Sequence, residues 1–109
     1  MLDIRYYVAA SGEEPFAEWF AELDAAAGAR IVRALARMEQ GNLSNVKSVG
    51  EGVLEYRIEF GPGYRIYFGR DGDTIIILLT GGTKKRQQRD IDAARAYWQD
   101  YKRGKRVRG

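Results

Sequence analysis

Apolar residues recur every three or four positions at the two ends of the chain and alternate with polar ones between them, so the pattern predicts a sheet framed by helices. Ile4, Tyr6, Tyr7 and Val8 predict a first strand over Asp3 to Ala9, broken by Ser11 and Gly12. Glu13, Glu14 and Pro15 suit a helix start, and Phe16, Trp19, Phe20 and Leu23 carry an amphipathic helix to about Asp24. After Gly28, Ile31, Ala34, Leu35 and Met38 form a second apolar stripe, with Arg30, Arg33 and Arg37 on the other side and Gly41 as a stop. That row of arginines reads first as a solvated helix face. Asn42 to Gly52 is polar and bounded by glycine, hence loop, with a short strand near Val46 as an option.

Three strands follow with tight turns. In Val53 to Phe60, Leu54, Tyr56, Ile58 and Phe60 share one face, and Val53, Glu55, Arg57 and Glu59 the other. Beyond the turn Gly61, Pro62, Gly63, the segment Tyr64 to Arg70 puts Tyr64, Ile66 and Phe68 on one side and Arg65 and Tyr67 on the opposite one. Asp71, Gly72 and Asp73 make a hairpin turn into Ile75 to Leu79, apolar throughout and therefore expected to be the central strand, covered on both faces. From about Gln88 a third helix carries Ile91, Ala94, Tyr97 and Trp98, with Tyr97 expected in the core and Tyr101 outside it. The fold class is thus α+β: a small antiparallel sheet of about four strands against an N-terminal helix hairpin, plus a C-terminal helix. A domain over 1–101 and a frayed basic tail over 102–109 complete the expectation.

Composition narrows the chemistry. The 109 residues suit one core. With neither cysteine nor histidine, disulfides, thiolate sites, Ser-His-Asp and Cys-His catalysis are excluded, and Asp, Glu, Lys, Arg and Tyr remain for any reaction. Neither a metal nor another cofactor is expected. No apolar run reaches membrane-spanning length, so the expected location is cytoplasmic, with no membrane partner. Residues 1–50 hold 5 Lys/Arg against 7 Asp/Glu and residues 51–109 hold 13 against 8, a balance of −2 and +5 that leaves open an anionic partner or a solvated surface.

The predicted sheet places Arg57, Arg65 and Tyr67 on its less apolar face, and the end of the last strand delivers Thr83, Lys84, Lys85 and Arg86 beside them. Cations with an aromatic on a rigid sheet suit a surface that grips phosphates and stacks a base. The other reading pairs Arg57 and Arg65 with Glu55 and Glu59 as cross-strand ion pairs.

From Gly52 to Trp98 the run "GVLEYRIEFGPGYRIYFGRDGDTIIILLTGGTKKRQQRDIDAARAYW" resembles the addiction module killer protein branch of the RelE/ParE superfamily of toxins (HigB/RelE-like). Its most specific pieces are "YRI" at Tyr56 to Ile58, "GPGYRIYF" at Gly61 to Phe68 and "LLTGGTKKRQQRDIDAA" at Leu78 to Ala94. The resemblance implies a RelE-like fold and the toxin of a type II toxin–antitoxin pair, a metal-independent endoribonuclease that cleaves mRNA on the ribosome and is neutralised by a helix-turn-helix antitoxin. It implies Arg57, Arg65 and Lys84 as catalytic residues, with Arg57 in the family's "ELRI"-like strand, where Tyr56 replaces the leucine. In such a reaction the RNA's own 2′-hydroxyl attacks the adjacent phosphate, so the arginines would carry transition-state charge. Lys84, crowded by Lys85 and Arg86, would either move a proton or contact phosphate. Tyr67, Lys85, Arg86, Lys102 and Arg103 are the expected RNA-binding residues. The superfamily also contains non-enzymatic DNA gyrase inhibitors, and an inactive RNA- or antitoxin-binding module is a third option; fold alone does not separate them.

Overall fold

In the computed structural model, which describes residues 1–108 and side chains as far as Lys105, the chain forms one five-stranded sheet with helices on both faces. The elements are β1 (Asp3–Tyr6), α1 (Pro15–Ala21), α2 (Ala25–Glu39), β2 (Val46–Ser48), β3 (Leu54–Ile58), β4 (Tyr64–Asp71), β5 (Ile75–Thr83), a 3-10 turn (Lys84–Arg86) and α3 (Gln87–Arg108). The spatial order is β1-β5-β4-β3-β2. The class is the expected α+β, and the two predicted hairpins form β3–β4 and β4–β5. Two details of the sheet differ. A fifth strand is present because the option near Val46 is taken up by β2, and β1 joins the far edge in parallel to β5, so the sheet is mixed rather than wholly antiparallel. The residues between β1 and β5 supply the long crossover that a parallel pair requires. β4 is the middle strand; the apolar β5 lies beside it, flanked by β1 and β4.

The helix boundaries follow caps that the apolar stripe alone obscures. α2 starts at Ala25, not after Gly28, because the Asp24 carboxylate accepts a hydrogen bond from the Ala27 N–H at 2.9 Å. Gly28 is therefore inside the helix. α3 runs on through the segment expected to fray: Lys102 lies over the Trp98 ring at 5.7 Å, Arg103 pairs with Asp100 at 3.5 Å, and Lys105 pairs with Asp71. The side chains of Arg106 and Arg108, also counted in that basic tail, lie outside the described residues, as does Gly109. Tyr101, expected outside the core, is half-buried: it stacks on Trp98 and donates a hydrogen bond to Asp71 at 2.6 Å.

Each sheet face has its own core. Phe16, Ile31, Ala34 and Met38 of α1 and α2 pack on Tyr56, Ile66, Phe68, Ile76 and Leu78. On the other side Ile91, Ala94 and Trp98 of α3 cover Tyr7, Val53, Tyr67, Ile77 and Leu79. A bulge between Tyr67 and Phe68 in the β4–β5 register leaves Leu79 unpaired and reverses the parity of β5. As a result Gly81 turns to α1 and Gly82 to α3. A Cβ on Gly81 would sit 2.2 Å from the Trp19 ring, and one on Gly82 would sit 1.8 Å from the Asp90 carboxylate. The double glycine is a close-approach device for both helices.

Gly81→Ala should therefore lower stability by about 1–3 kcal/mol, the ordinary cost of overpacking. Thermal melts of a double-mutant cycle with Trp19→Ala check the cause, since removing the indole should abolish most of that cost. An equal cost in both backgrounds would place the strain in the backbone instead.

Candidate functional site

At the end of the sheet where β3 and β4 meet their turn, Arg57 and Arg65 are paired positions on adjacent antiparallel strands. Two cations directly opposed across a ladder repel unless something anionic intervenes. For Arg65 that partner is Glu55, fully buried at 0% exposure, with Arg65 Nε 3.8 Å from its Oε2. The Arg65 Nη1 also donates to the Gly63 carbonyl at 2.8 Å. The same carbonyl accepts the backbone N–H of Lys84 at 2.9 Å, which fixes the start of the 3-10 turn over the β3–β4 turn. Arg57 is exposed, and among the described residues it makes no ion pair or side-chain hydrogen bond. The cross-strand ion-pair reading thus holds for Arg65 and fails for Arg57.

These contacts bring the three expected catalytic residues together. Arg57, Arg65 and Lys84 line one open cleft of about 430 Å³, floored by the Ile58–Gly63 turn. Lys85 and Arg86 are exposed on the adjoining 3-10 turn. Lys102 and Arg103 are not at the cleft: they lie fifteen or more residues along α3 from Gln87, roughly 22 Å at 1.5 Å per helical residue. No group of three or more Asp or Glu side chains among the described residues is arranged as metal ligands.

Tyr67 requires a correction. The face it shares with Glu55 and Arg65 is not a solvent face, because α3 lies across it; Tyr67 is 0% exposed and Arg65 only 7%. With no open ring face, Tyr67 packs in the core and offers no platform for a base. Its hydroxyl is buried beside the Glu55 carboxylate, and its pKa is pushed up, first by burial and then by the Glu55 charge.

Sequence reasoning missed Gln87 and Asp90, and it named Glu55 only as an exposed ion-pair partner, not as a buried hub. Glu55 Oε2 accepts a hydrogen bond from Gln87 Nε2 at 2.8 Å, and Lys47 of β2 stands 3.8 Å from Oε1. One carboxylate thus touches β2, β4 and α3 from its seat on β3. Asp90 sits in the space left by Gly82 with one oxygen buried and unpartnered, and burial raises its pKa against the lowering effect of Arg89 and Arg86. The available signal was "TGGT" followed by an aspartate near a helix start, a small-residue step that must admit a side chain.

With this geometry established, the class is an α+β protein bearing a cationic cleft at a sheet end. The model of the family "Phage derived protein Gp49-like (DUF891)" matches residues 18–99, and the chain belongs to that family, one associated with the toxins of toxin–antitoxin modules. The chain is also similar to a protein described as "Uncharacterized protein" from Haemophilus influenzae (strain ATCC 51907 / DSM 11121 / KW20 / Rd), 37% identical over 86 residues that cover 78% of this chain and 87% of the relative. No helix among the described residues is long and apolar enough to cross a membrane.

Two measurements test this account. Glu55→Ala should destabilise the fold by about 3–5 kcal/mol in denaturant titrations, because it strands the buried Arg65 guanidinium. A cost near that of an exposed substitution would show that the pair is not what holds this end of the sheet. For Asp90, whose folded-state pKa is raised, the native protein binds more protons than the unfolded chain just above the ordinary carboxylate range, so stability falls as pH rises through that window. Asp90→Asn should remove that part of the slope, and melts from pH 4 to pH 7 that keep the parental slope would assign it to another group.

Proposed function

We propose that this chain is the toxin of a toxin–antitoxin module and acts as a metal-independent endoribonuclease on mRNA at the ribosome, held inactive by a cognate helix-turn-helix antitoxin. The single observation that carries the reading is the convergence of Arg57, Arg65 and Lys84 on one cleft. Family membership adds the toxin association. In the reaction, the 2′-hydroxyl oxygen bonds to the adjacent phosphorus, its proton leaves to a base, and the 5′-oxygen departs with a proton, giving a 2′,3′-cyclic phosphate end. Arg65, oriented by Glu55 and the Gly63 carbonyl, holds a fixed guanidinium at the cleft wall. Arg57, without a protein partner among the described residues, takes a phosphate oxygen. Both stay charged throughout and stabilise the phosphorane. Lys84, on the rim and fixed through its backbone, is the lysine lining the cleft and, with the Glu59 carboxylate, one of two groups there able to move a proton.

Induction without antitoxin should arrest bacterial growth with new mRNA 5′ ends, mapped by primer extension. Arrest with double-strand DNA breaks and intact mRNA would replace this reading with gyrase inhibition. Arg57→Ala and Lys84→Ala should each reduce cleavage about a hundred- to a thousandfold, the loss of roughly 2.7–4 kcal/mol of transition-state stabilisation, at unchanged melting temperature. Arg65→Ala should lose both activity and stability, since it removes the more buried of the two cations paired with Glu55. Full toxicity in the folded Arg57 and Lys84 variants would remove them from the site.

A further inference from the structure

The arginines of α2 are not simply a solvated face. Arg30, Arg33 and Arg37 line one wall of a second groove, of about 550 Å³, whose opposite wall is formed by Lys47, Arg57 and Glu59 of the β2–β3 region. The lining holds five cations and one acid, Glu59, and of the five only Lys47 has a carboxylate partner, Glu55 at 3.8 Å. Arg30, Arg33 and Arg37 make no ion pair or side-chain hydrogen bond among the described residues, so their charge is not neutralised from within the protein. The two clefts share Arg57, Ile58 and Glu59. They meet because β2 pairs with β3 only as far as Val46↔Tyr56, which leaves the edge of β3 open at Arg57 and Ile58. At this junction Arg30 reaches over the Phe60 ring, 4.3 Å from its centroid, and Phe60 stacks on Tyr64 at 6.5 Å.

We propose that the groove between α2 and β3 holds the phosphate backbone of the RNA strand as it runs out of the cleft, so that Arg33 and Arg37 are phosphate contacts one helical turn apart. The inference rests on the reading of the cleft as an RNA site and extends it to a second, non-catalytic stretch. Continuity decides for RNA over an acidic protein segment: a strand bound at Arg57, Arg65 and Lys84 must leave the cleft, and the shared Arg57 opens directly onto uncompensated guanidinium groups, whose planar forks match phosphate. A chain of phosphates also matches cations spaced along a groove without needing the apolar anchors of a peptide interface.

The test uses the full-length double variant Arg33→Gln and Arg37→Gln, both at exposed helix positions with little change in helix propensity. Binding of a 2′-O-methylated single-stranded RNA 12-mer, which cannot undergo 2′-hydroxyl attack, is measured by fluorescence anisotropy from 25 to 200 mM salt. Two lost phosphate contacts should weaken binding about tenfold or more and flatten the plot of log affinity against log salt by about 1.4. The single variant Arg37→Gln should give about half that change in slope, a graded effect that a folding defect would not produce, with melting temperature as the control.

Parental affinity and slope in the double variant, while Lys84→Ala still weakens the same 12-mer, would overturn the groove assignment and leave the cleft reading standing. No binding of the 12-mer by the parent would overturn the groove assignment and leave the cleft reading to the primer-extension result. An unchanged RNA slope with loss of binding to a glutamate-rich 20-residue peptide would assign the groove to a protein partner instead.

Discussion

A carboxylate buried beneath a helix is the constraint on which this end of the molecule depends. Glu55 has no exposure to water, and removing a charge from water costs several kcal/mol unless it is paired and hydrogen-bonded. Its partners come from three other elements: Arg65 on β4, Gln87 at the start of α3 and Lys47 on β2. Satisfying Glu55 therefore requires the β3–β4 register, the docking of α3 and the edge strand β2 to be right together. The same ion pair also lets Arg65 be buried opposite Arg57. Without it the sheet would hold two facing guanidinium groups, neither with a carboxylate partner.

The two cores meet this constraint from either side. Trp19 and Asp90 close onto Gly81 and Gly82, so that the end of β5 is gripped by α1 on one face and by α3 on the other. The strand then turns directly into the 3-10 segment that presents Lys84, and the Gly63 carbonyl locks that segment to the β3–β4 turn. Lys84 is exposed, but its backbone is not loose. The cleft thus sits on rigid elements rather than on a long loop, the arrangement that orients charged groups without an ordering cost at the moment of binding.

How much of this was legible in the sequence depends on what a periodicity can say. Alternation identified β3 and β4 and the face shared by Glu55, Arg57, Arg65 and Tyr67, and the family motif brought Arg57, Arg65 and Lys84 to one place. Alternation does not say what lies over a face. Glu55, Arg57 and Arg65 read as a solvent side, yet α3 presents Ile91, Ala94 and Trp98 and must bury them, and Tyr67, Ile77 and Leu79 are the surface that receives them. An apolar helix stripe with no assigned partner was the available sign that the polar-looking face is covered. The cap at Asp24 was overshadowed by Gly28, and the helical course of Lys102 to Lys105 depends on contacts with Trp98, Asp100 and Asp71 that no local pattern contains.

The location of the uncompensated charge follows from the same architecture. Cations that can reach a carboxylate are neutralised: Arg65 by Glu55, Arg5 by Asp3, Arg95 by Glu51 and Asp92, and Lys105 by Asp71. Those left over on α2 and the open edge of β3 have one acid, Glu59, among them. A protein that needed this surface only for solubility would gain from interspersed signs, because like charges crowded around a groove destabilise the folded state. Arg57 lines the groove with three unpaired arginines of α2, an arrangement whose mutual repulsion an anion in the groove would relieve. If the groove takes an RNA strand as proposed, that repulsion becomes a source of affinity for phosphates along the line from Lys84 through Arg57 to Arg37.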